Sequence, residues 1–280
     1  MEKAIHINNI KQIKLPIARY HRIYWGNEFC QNLIPLPADT DKILDYSHRH
    51  KLGFTFVTPF VTEEGLKTIE SSLSWLKRYG AGCEIVVNDW GVLDTIWRRY
   101  GNFFEIVLGR LLTRQQRDPL MSRFLEKQPP LAVRDKKSRI TVFLHRLPTK
   151  RCQMAMRSCY LNAEAAQSFL VKRGVVRIEL NNVIQGIRTE GISLKKSLYT
   201  PYVHISSTRF CPMETKYQKI YRINVCRKEC RREYDILRNK KIPKIIYRKG
   251  NSIFYKNPVV LERIFALGID RVVYQQGLLS

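Results

Sequence analysis

The order of the apolar segments is the feature that most constrains the fold of this chain. Short runs of continuous apolar residues, such as 83–89 (CEIVVND) and 103–109 (FFEIVLG), are separated by segments whose apolar positions have helical spacing. Continuous apolarity is typical of a strand buried on both faces, as strands of parallel sheets are. The alternation of such strands with helices therefore predicts parallel β/α units.

Seven or eight such strands are recognisable in the 280 residues, which predicts a single-domain TIM-type (β/α) barrel over 1–280. The first barrel strand is placed at 19–26 and a later one at 200–207. Because sequence cannot show closure, an incomplete or distorted barrel and an open doubly wound sheet stay open as alternatives.

Two segments depart from the alternation. Residues 111–158 are basic and interrupted by prolines, which indicates a solvated excursion over one face of the barrel. Residues 245–255 (IIYRKGNSIFY) indicate a β-hairpin that turns at 249–251.

The charge is strongly positive and unevenly distributed. The chain has 49 Lys and Arg against 24 Asp and Glu, a formal net charge of +25. Residues 110–157 contain 13 basic and 3 acidic side chains, and residues 209–249 contain 14 and 4. Such a field attracts RNA or anionic small molecules. A solubilising surface is the alternative, because sequence does not show whether the charges share one face.

The N-terminal segment and the cysteine count bear on location. Residues 1–14 lack the apolar core of a secretory signal, and the apolar runs are shorter than the roughly 20 residues of a membrane span. We therefore expect a cytoplasmic protein with no membrane span. Seven cysteines without an export signal do not suggest a disulfide framework. Metal binding and burial in the core remain as their roles.

Four cysteines occupy positions that bring them together in a barrel. Cys30 and Cys211 each follow a predicted strand by four residues, and Cys226 and Cys230 lie four residues apart. The loops that follow barrel strands meet at the carboxyl-end face of the barrel, where active sites lie. Four thiolates at one mouth suit either a tetrahedral zinc site or an iron–sulfur cluster. We therefore predict a cysteine-rich, cluster-binding segment over 204–232.

The spacing and the local charge favour the cluster over zinc. Structural zinc sites usually pair their ligands in Cys-x2-Cys knuckles, whereas this chain has one x3 pair and two isolated thiols. A cluster with four thiolates is anionic, and basic residues surround the segment: Arg209, Arg227, Lys228, Arg231 and Arg232. Burial of each thiol as a small apolar side chain is the structural alternative, which we assign to Cys83.

Several motifs together resemble a known family. The stretches IYWGNEFC, EIVVNDWGVL, VLGRLLTRQQRDP and RIELNN, followed by Cys-x14-Cys-x3-Cys, occur in that order between residues 19 and 232. They resemble the collagenase-like peptidase family of unknown-type proteases. They are most similar to its short single-domain members, which act in oxygen-independent ubiquinone hydroxylation and in related tRNA and rRNA hydroxylation.

The resemblance implies a TIM-type barrel that holds a 4Fe–4S cluster through Cys30, Cys211, Cys226 and Cys230. It implies hydroxylation without molecular oxygen, with prephenate as the hydroxyl source and with a paralogous partner subunit. Peptidase activity is the family's other implication, although the chain has neither an HExxH nor a G-x-S-x-G motif. A non-catalytic basic module that binds RNA or a partner is a third hypothesis.

Other polar residues are expected near the carboxyl ends of strands. Asn88 is a candidate substrate-binding residue, and Asp89 is a candidate acid or base that can equally serve as an N-cap. Arg110 and Arg114 could hold a dicarboxylate such as prephenate, with a surface ion pair as the alternative. Glu179 would be costly to bury unless it is paired or functional, and it is the second catalytic candidate.

Overall fold

A computed structural model describes residues 1–14, 17–121, 131–144, 149–216, 226–259, 264–275 and 277–279. The α-helices in this part of the chain are α1 (Pro37–Arg49), α2 (Glu63–Arg78), α3 (Trp90–Tyr100), α4 (Lys150–Arg157) and α5 (Glu164–Val171). The β-strands are β1 (Glu2–Ile7), β2 (Arg22–Gly26), β3 (Gly53–Val57), β4 (Glu84–Val87), β5 (Glu105–Leu108), β6 (Leu131–Arg134), β7 (Thr141–Leu144), β8 (Val175–Asn181), β9 (Lys195–Thr200), β10 (Tyr202–Ser207), β11 (Asp235–Leu237), β12 (Ile246–Lys249), β13 (Ser252–Lys256) and β14 (Arg271–Tyr274).

Eight of the strands form a closed barrel. Its order is β1-β14-β9-β8-β5-β4-β3-β2, and β1 closes the ring by pairing with both β14 and β2. All eight pairings are parallel. The predicted TIM-type barrel is therefore confirmed, and the open doubly wound sheet is wrong.

Two barrel strands escaped the sequence prediction. β1 precedes the segment that was taken for the first strand, so β2 is the second strand of the barrel. β9 contains only two apolar residues with large side chains, Leu198 and Tyr199, after two lysines. Both strands place polar side chains in the barrel interior, and their sequences therefore lack the continuous apolar pattern that marks a buried strand.

The strand predicted at 200–207 belongs to a different sheet. The barrel strand is β9, which ends at Thr200, and the chain then turns at Pro201 into β10. A proline has no N–H to donate and does not continue a central strand. β10 pairs antiparallel with β13 in a four-stranded sheet of order β10-β13-β12-β11. The predicted hairpin at 249–251 is confirmed, since β12 and β13 pair antiparallel there.

The predicted excursion at 111–158 contains regular structure of its own. Strands β6 and β7 form an antiparallel hairpin, and helix α4 follows. Residues 122–130 and 145–148 of this excursion lie outside the described residues, and so do residues 217–225 of the predicted cluster-binding segment. No helix in the described ranges has the length and apolarity needed to cross a membrane.

The interior of the barrel is arranged in layers, because alternate residues of each strand point inward. The middle layer is largely apolar and packs Ala4, Val57 and Val273 against Tyr24 and Tyr199. A charged layer lies two residues before the middle layer, at the end where the strands begin. A polar layer that includes His6 and Gln275 lies two residues after it, at the end where the strands finish. The outward residues pack beneath the helices in a larger apolar core. A polar layer therefore closes each end of the barrel.

Candidate metal centre

Four cysteines line one cavity above the carboxyl ends of the barrel strands. Cys30, Cys211, Cys226 and Cys230 all face this space, which has a volume of about 150 Å³. Cys30 follows β2 as expected. Cys211 follows β10 of the antiparallel sheet instead of a barrel strand, because the chain leaves the barrel at Pro201. The antiparallel sheet nevertheless brings Cys211 to the same mouth. We call this space the cysteine cavity.

A side-chain turn fixes the backbone that carries Cys30. Asn27 Oδ1 accepts hydrogen bonds from the backbone N–H groups of Phe29 and Cys30, both at 2.9 Å. Gly26 permits the chain to leave β2 at a φ of +136°, where a Cβ atom would lie 2.2 Å from the Val57 carbonyl oxygen. The turn at Asn27 and the conformation of Gly26 therefore place Cys30 at the mouth of the barrel.

The β12–β13 hairpin supports the other thiols. Gly250 has a φ of +62°, and a Cβ atom there would lie 3.5 Å from Cys230 Sγ. The Gly250 N–H also donates to Met213 Sδ at 3.1 Å, next to the turn that begins at Cys211. Cys230 itself is buried in a short 3₁₀ helix, Glu229–Arg231. The hairpin turn thus packs directly against both cysteine segments.

The cavity wall is basic and rich in amides. Arg209, Arg231 and Lys249 line it, with Glu214 as the acidic residue among the lining groups that the structure describes. Arg209 and Arg231 belong to the cations predicted to offset a cluster, whereas Lys249 was not predicted. The amide side chains on the wall are Asn8, Asn9, Asn27, Gln31, Asn32 and Asn251. Such a wall suits an anionic group with oxygen acceptors.

The thiols influence one another electrostatically. Burial, together with the neighbouring thiols Cys226 and Cys211, raises the pKa of Cys30 to about 11. Burial and the other three thiols raise the pKa of Cys230 to about 12. Four thiolates in this space would repel one another unless a cation or a cluster neutralised them.

The chemistry of the donor set fits a metal centre. Four thiols beside three cations suit an anionic iron–sulfur cluster, and four thiolates also suit zinc. In the conformation described, no three His, Cys, Asp or Glu side chains of the described residues are close enough together to hold a metal ion. Cys152 and Cys159 do not line the cavity.

A fully buried ion pair lies beneath the cysteine cavity. Arg110 donates from Nε and Nη2 to the two oxygens of Glu28 at 2.8 and 2.7 Å, and both side chains are 0% exposed. Its Nη1 donates to Asn181 Oδ1 and to the Tyr202 carbonyl oxygen. The guanidinium is therefore engaged by the protein, and neither a surface ion pair nor a free substrate clamp describes it.

The other predicted residues have mainly structural surroundings. Asp89 caps α3, where its Oδ1 accepts hydrogen bonds from the Gly91 and Val92 N–H groups at 2.7 and 3.4 Å. Asn88 is buried and donates to the Thr58 carbonyl oxygen. Arg114 is exposed on the excursion, at a φ of +48°. Asn88, Asp89 and Arg114 are all absent from the described lining of the cysteine cavity.

Glu179 lies in the middle of the barrel and is 0% exposed. Within the described part of the chain, neither of its carboxyl oxygens has a hydrogen-bond partner at bonding geometry. Burial and the charge of Glu28 raise the pKa of Glu179 to about 8, against smaller opposing effects of the Tyr199 and Tyr24 hydroxyls. A raised pKa favours the neutral carboxyl group, which fits a proton donor.

Sequence reasoning missed two residues beside the site. Glu28 lies inside the quoted GNEFC stretch, but its partner Arg110 is 82 positions away. His6 lies on β1, which was not predicted as a strand. The only signal for either was its place near the carboxyl end of an apolar segment.

Comparisons with known proteins give structural similarities at low identity. No family model and no curated protein matches the chain. A solved structure of the U32 peptidase Mk0906 is 11% identical with a TM-score of 0.48, over 99% of this chain and 93% of that one. A family 18 N-acetylglucosaminidase from Paenibacillus barengoltzii is 10% identical with a TM-score of 0.33, over 99% and 95%. A family 18 chitinase from Cycas revoluta is 8% identical with a TM-score of 0.36, over 98% and 94%.

The barrel assignment itself depends on the strand pairing described above. At these identities and TM-scores the similarities carry no argument about family or activity.

Proposed function

We propose that the cysteine cavity holds a 4Fe–4S cluster and that the protein takes part in oxygen-independent hydroxylation. The observation that carries this proposal is the convergence of Cys30, Cys211, Cys226 and Cys230 on one basic cavity. Membership of the collagenase-like peptidase family is part of the proposal and is supported by the motif order in the sequence. The cluster would supply one-electron redox chemistry.

The wall of the cavity suggests the class of small molecule that would bind beside the cluster. Arg209 and Lys249 line it together with several amide side chains, which suits a carboxylate-bearing ligand such as prephenate. Arg110 is buried in its pair with Glu28 and does not line the cavity, whereas Arg209 and Lys249 do line it, so we assign contact with the carboxylates to these two cations. Glu179 would then donate or accept a proton from its buried position in the barrel.

Substitution of the cysteines tests the proposal. Protein isolated without oxygen should be brown, and Cys→Ser changes at Cys30, Cys211, Cys226 or Cys230 should each bleach the visible absorption. Cys152→Ser is the matched control, since Cys152 is a thiol outside the cavity. Colourless wild-type protein, or four single variants that all keep the colour, would refute the proposed ligand set.

A second candidate function, RNA binding, is favoured by one surface feature. Trp97 of α3 and Phe169 of α5 are 40% and 44% exposed. The guanidinium carbon of Arg173 lies 3.7 Å from the Phe169 ring centroid and 5.2 Å from that of Trp97. Exposed aromatic rings interleaved with arginine are the elements on which unpaired bases stack.

Salt titration of RNA affinity tests this second function. Affinity for a single-stranded oligoribonucleotide should fall steeply with salt, and Trp97→Ala should weaken it by about 1–3 kcal/mol. Phe265→Ala is the control, because Phe265 is an exposed aromatic residue at another place. Cys→Ser changes in the cavity should leave the affinity intact. Equal losses with Trp97→Ala and Phe265→Ala would remove the support for this surface.

A further inference from the structure

A small chamber lies next to the cysteine cavity, at the polar layer of the barrel that includes His6 and Gln275. Its volume is about 20 Å³, which is room for about one water molecule. His6, Glu28 and Gln275 line its inner side, and all three are more than nine-tenths buried. Asn8, Asn27, Phe29 and Leu278 line both this chamber and the cysteine cavity. The two spaces are therefore neighbours that share one wall.

The hydrogen bonds of His6 determine which ring nitrogen carries the proton. His6 Nε2 lies 3.2 Å from the Gly26 carbonyl oxygen, which can only accept. The proton therefore belongs on Nε2, and Nδ1 carries a lone pair in the neutral ring. Nδ1 lies 3.7 Å from Glu28 Oε2, another acceptor, and has no hydrogen-bond partner among the described residues.

Gln275 presents a second acceptor of the same kind. Its Nε2 donates to Glu28 Oε2 at 3.2 Å, which fixes the orientation of the amide because a carboxylate only accepts. Gln275 Oε1 is consequently left without a donor in the part of the chain that the structure describes. Two buried acceptors without donors at one chamber indicate a missing donor.

We propose that the chamber binds a water molecule that donates one hydrogen bond to His6 Nδ1 and one to Gln275 Oε1. His6 Nδ1 and Gln275 Oε1 each accept one hydrogen bond from that water, and no covalent bond forms or breaks. Both ring and water stay neutral beside the Glu28 carboxylate.

The surroundings of His6 favour a neutral ring. Burial lowers the pKa of His6, with smaller opposing effects from Glu28 and the Gly26 carbonyl, so Nδ1 keeps a lone pair that can accept a hydrogen bond. The charged groups that face it are Glu28 and Arg110, and the rings of Tyr24 and Tyr199 pack at 6.3 and 6.0 Å. Water binding in this chamber does not depend on what the four thiols bind.

Nitrogen NMR and a high-resolution structure of the wild-type protein test the proposal together. We expect the ring of His6 to be neutral with the proton on Nε2, and we expect a water within hydrogen-bond distance of both Nδ1 and Gln275 Oε1. Gln275→Met should remove the water and move the Nδ1 resonance to higher frequency. His204 is the internal control, because Arg117 and Ser207 already partner its two nitrogens.

Two results would overturn it. One is a His6 ring that carries its proton on Nδ1 and donates directly to Glu28, which would leave no acceptor for water. The other is a chamber without water in a crystal structure that resolves other buried waters. Both measurements use the wild-type protein, so the test stands even if Gln275→Met does not fold.

Discussion

The two ends of the barrel are both closed by buried charges, but only one end is fully paired. At the end where the strands begin, Arg271 binds both oxygens of Glu84 at 2.6 and 2.9 Å and Glu2 at 2.6 Å. Arg22 binds the other Glu2 oxygen at 2.7 Å, and Thr55 donates to Glu84. Each carboxylate oxygen of this network has a partner.

The end where the strands finish is different. Arg110 and Glu28 are paired, but His6 Nδ1 and Gln275 Oε1 lack partners among the described residues. Both oxygens of Glu179, in the middle of the barrel, also lack partners in this part of the chain. An unpaired buried polar group costs stability, and it persists where a ligand, a water or a proton is to be bound. The first network therefore stabilises the barrel, whereas the unpaired atoms of His6 and Gln275 lie at the chamber next to the cysteine cavity, where we propose that water binds.

The largest expected effect comes from breaking the fully paired end. Glu84→Ala leaves Arg271 buried without its main partner and should lower the free energy of unfolding by about 3–5 kcal/mol. Chemical denaturation measures the change. Glu105→Ala is the matched control, since Glu105 pairs in register with Glu84 but is exposed, and it should change stability by less than about 0.5 kcal/mol. Similar losses for both variants would contradict the assigned role of the network.

At the other end, Arg110→Met should lower the free energy of unfolding by about 3 kcal/mol, because the Gln275 amide is then the one donor left to Glu28 among the described residues. The double change Arg110→Met with Glu28→Leu should cost less than the sum of the single changes, as expected for a buried pair. Arg114→Met is the control, an exposed arginine on the excursion. Additive single effects in the denaturation series would show that the pair is not coupled.

The pH dependence of stability should have opposite signs for the two buried glutamates. The pKa of Glu179 is raised to about 8, so the folded state binds more protons than the unfolded state between pH 4.5 and 8, and stability falls as pH rises. Burial raises the pKa of Glu84, but hydrogen bonds and charge from Arg271 outweigh burial and lower it. The contribution of Glu84 is therefore present above pH 4.5 and is lost as the pH falls.

Unfolding at pH 5 and pH 8 measures this difference. Glu179→Gln should remove the decline between these two pH values and leave the protein as stable as wild type, or more stable, at pH 8. An unchanged pH profile would mean that Glu179 is ionised or solvated in the folded state.

The smallest expected effect concerns Asp89. Asp89→Ala removes the N-cap of α3 and should cost about 1 kcal/mol, whereas Asp89→Asn should cost less, because an amide oxygen also caps. Asp94→Ala is the control on the same helix, where an exposed ion pair to Arg98 is worth less than about 0.5 kcal/mol. If Asp89→Asn proved as destabilising as Asp89→Ala, capping would not explain the residue.

The sequence predicted the apolar strands of the barrel better than the strands that carry polar side chains at its two ends. Continuous apolar segments such as β4 and β5 indicated buried parallel strands, because burial on both faces leaves a pattern that sequence records. β1 and β9 were missed because the same inward alternation places His6 and Ser197 at polar layers, where a buried polar residue looks like a surface one.

The cysteine convergence and the ion pairs show the same limit. The order of Cys30, Cys211, Cys226 and Cys230 indicated a shared mouth, although the strand assigned before Cys211 was in the wrong sheet. The ion pair between Glu28 and Arg110 could not be predicted, since Glu28 follows β2 and Arg110 follows β5, two strands that are not neighbours in the barrel. Spacing along the chain predicts neighbours within an element, but pairing across the barrel depends on register.

The central claim, that the cysteine mouth is a redox metal centre, is tested most directly by metal analysis of protein isolated without oxygen. Iron, acid-labile sulfide and zinc should be measured per chain on the same sample. The account predicts about four irons and about four sulfides, with little zinc. One zinc without sulfide would contradict the cluster while keeping the thiols as ligands, and a metal-free chain would contradict the centre altogether.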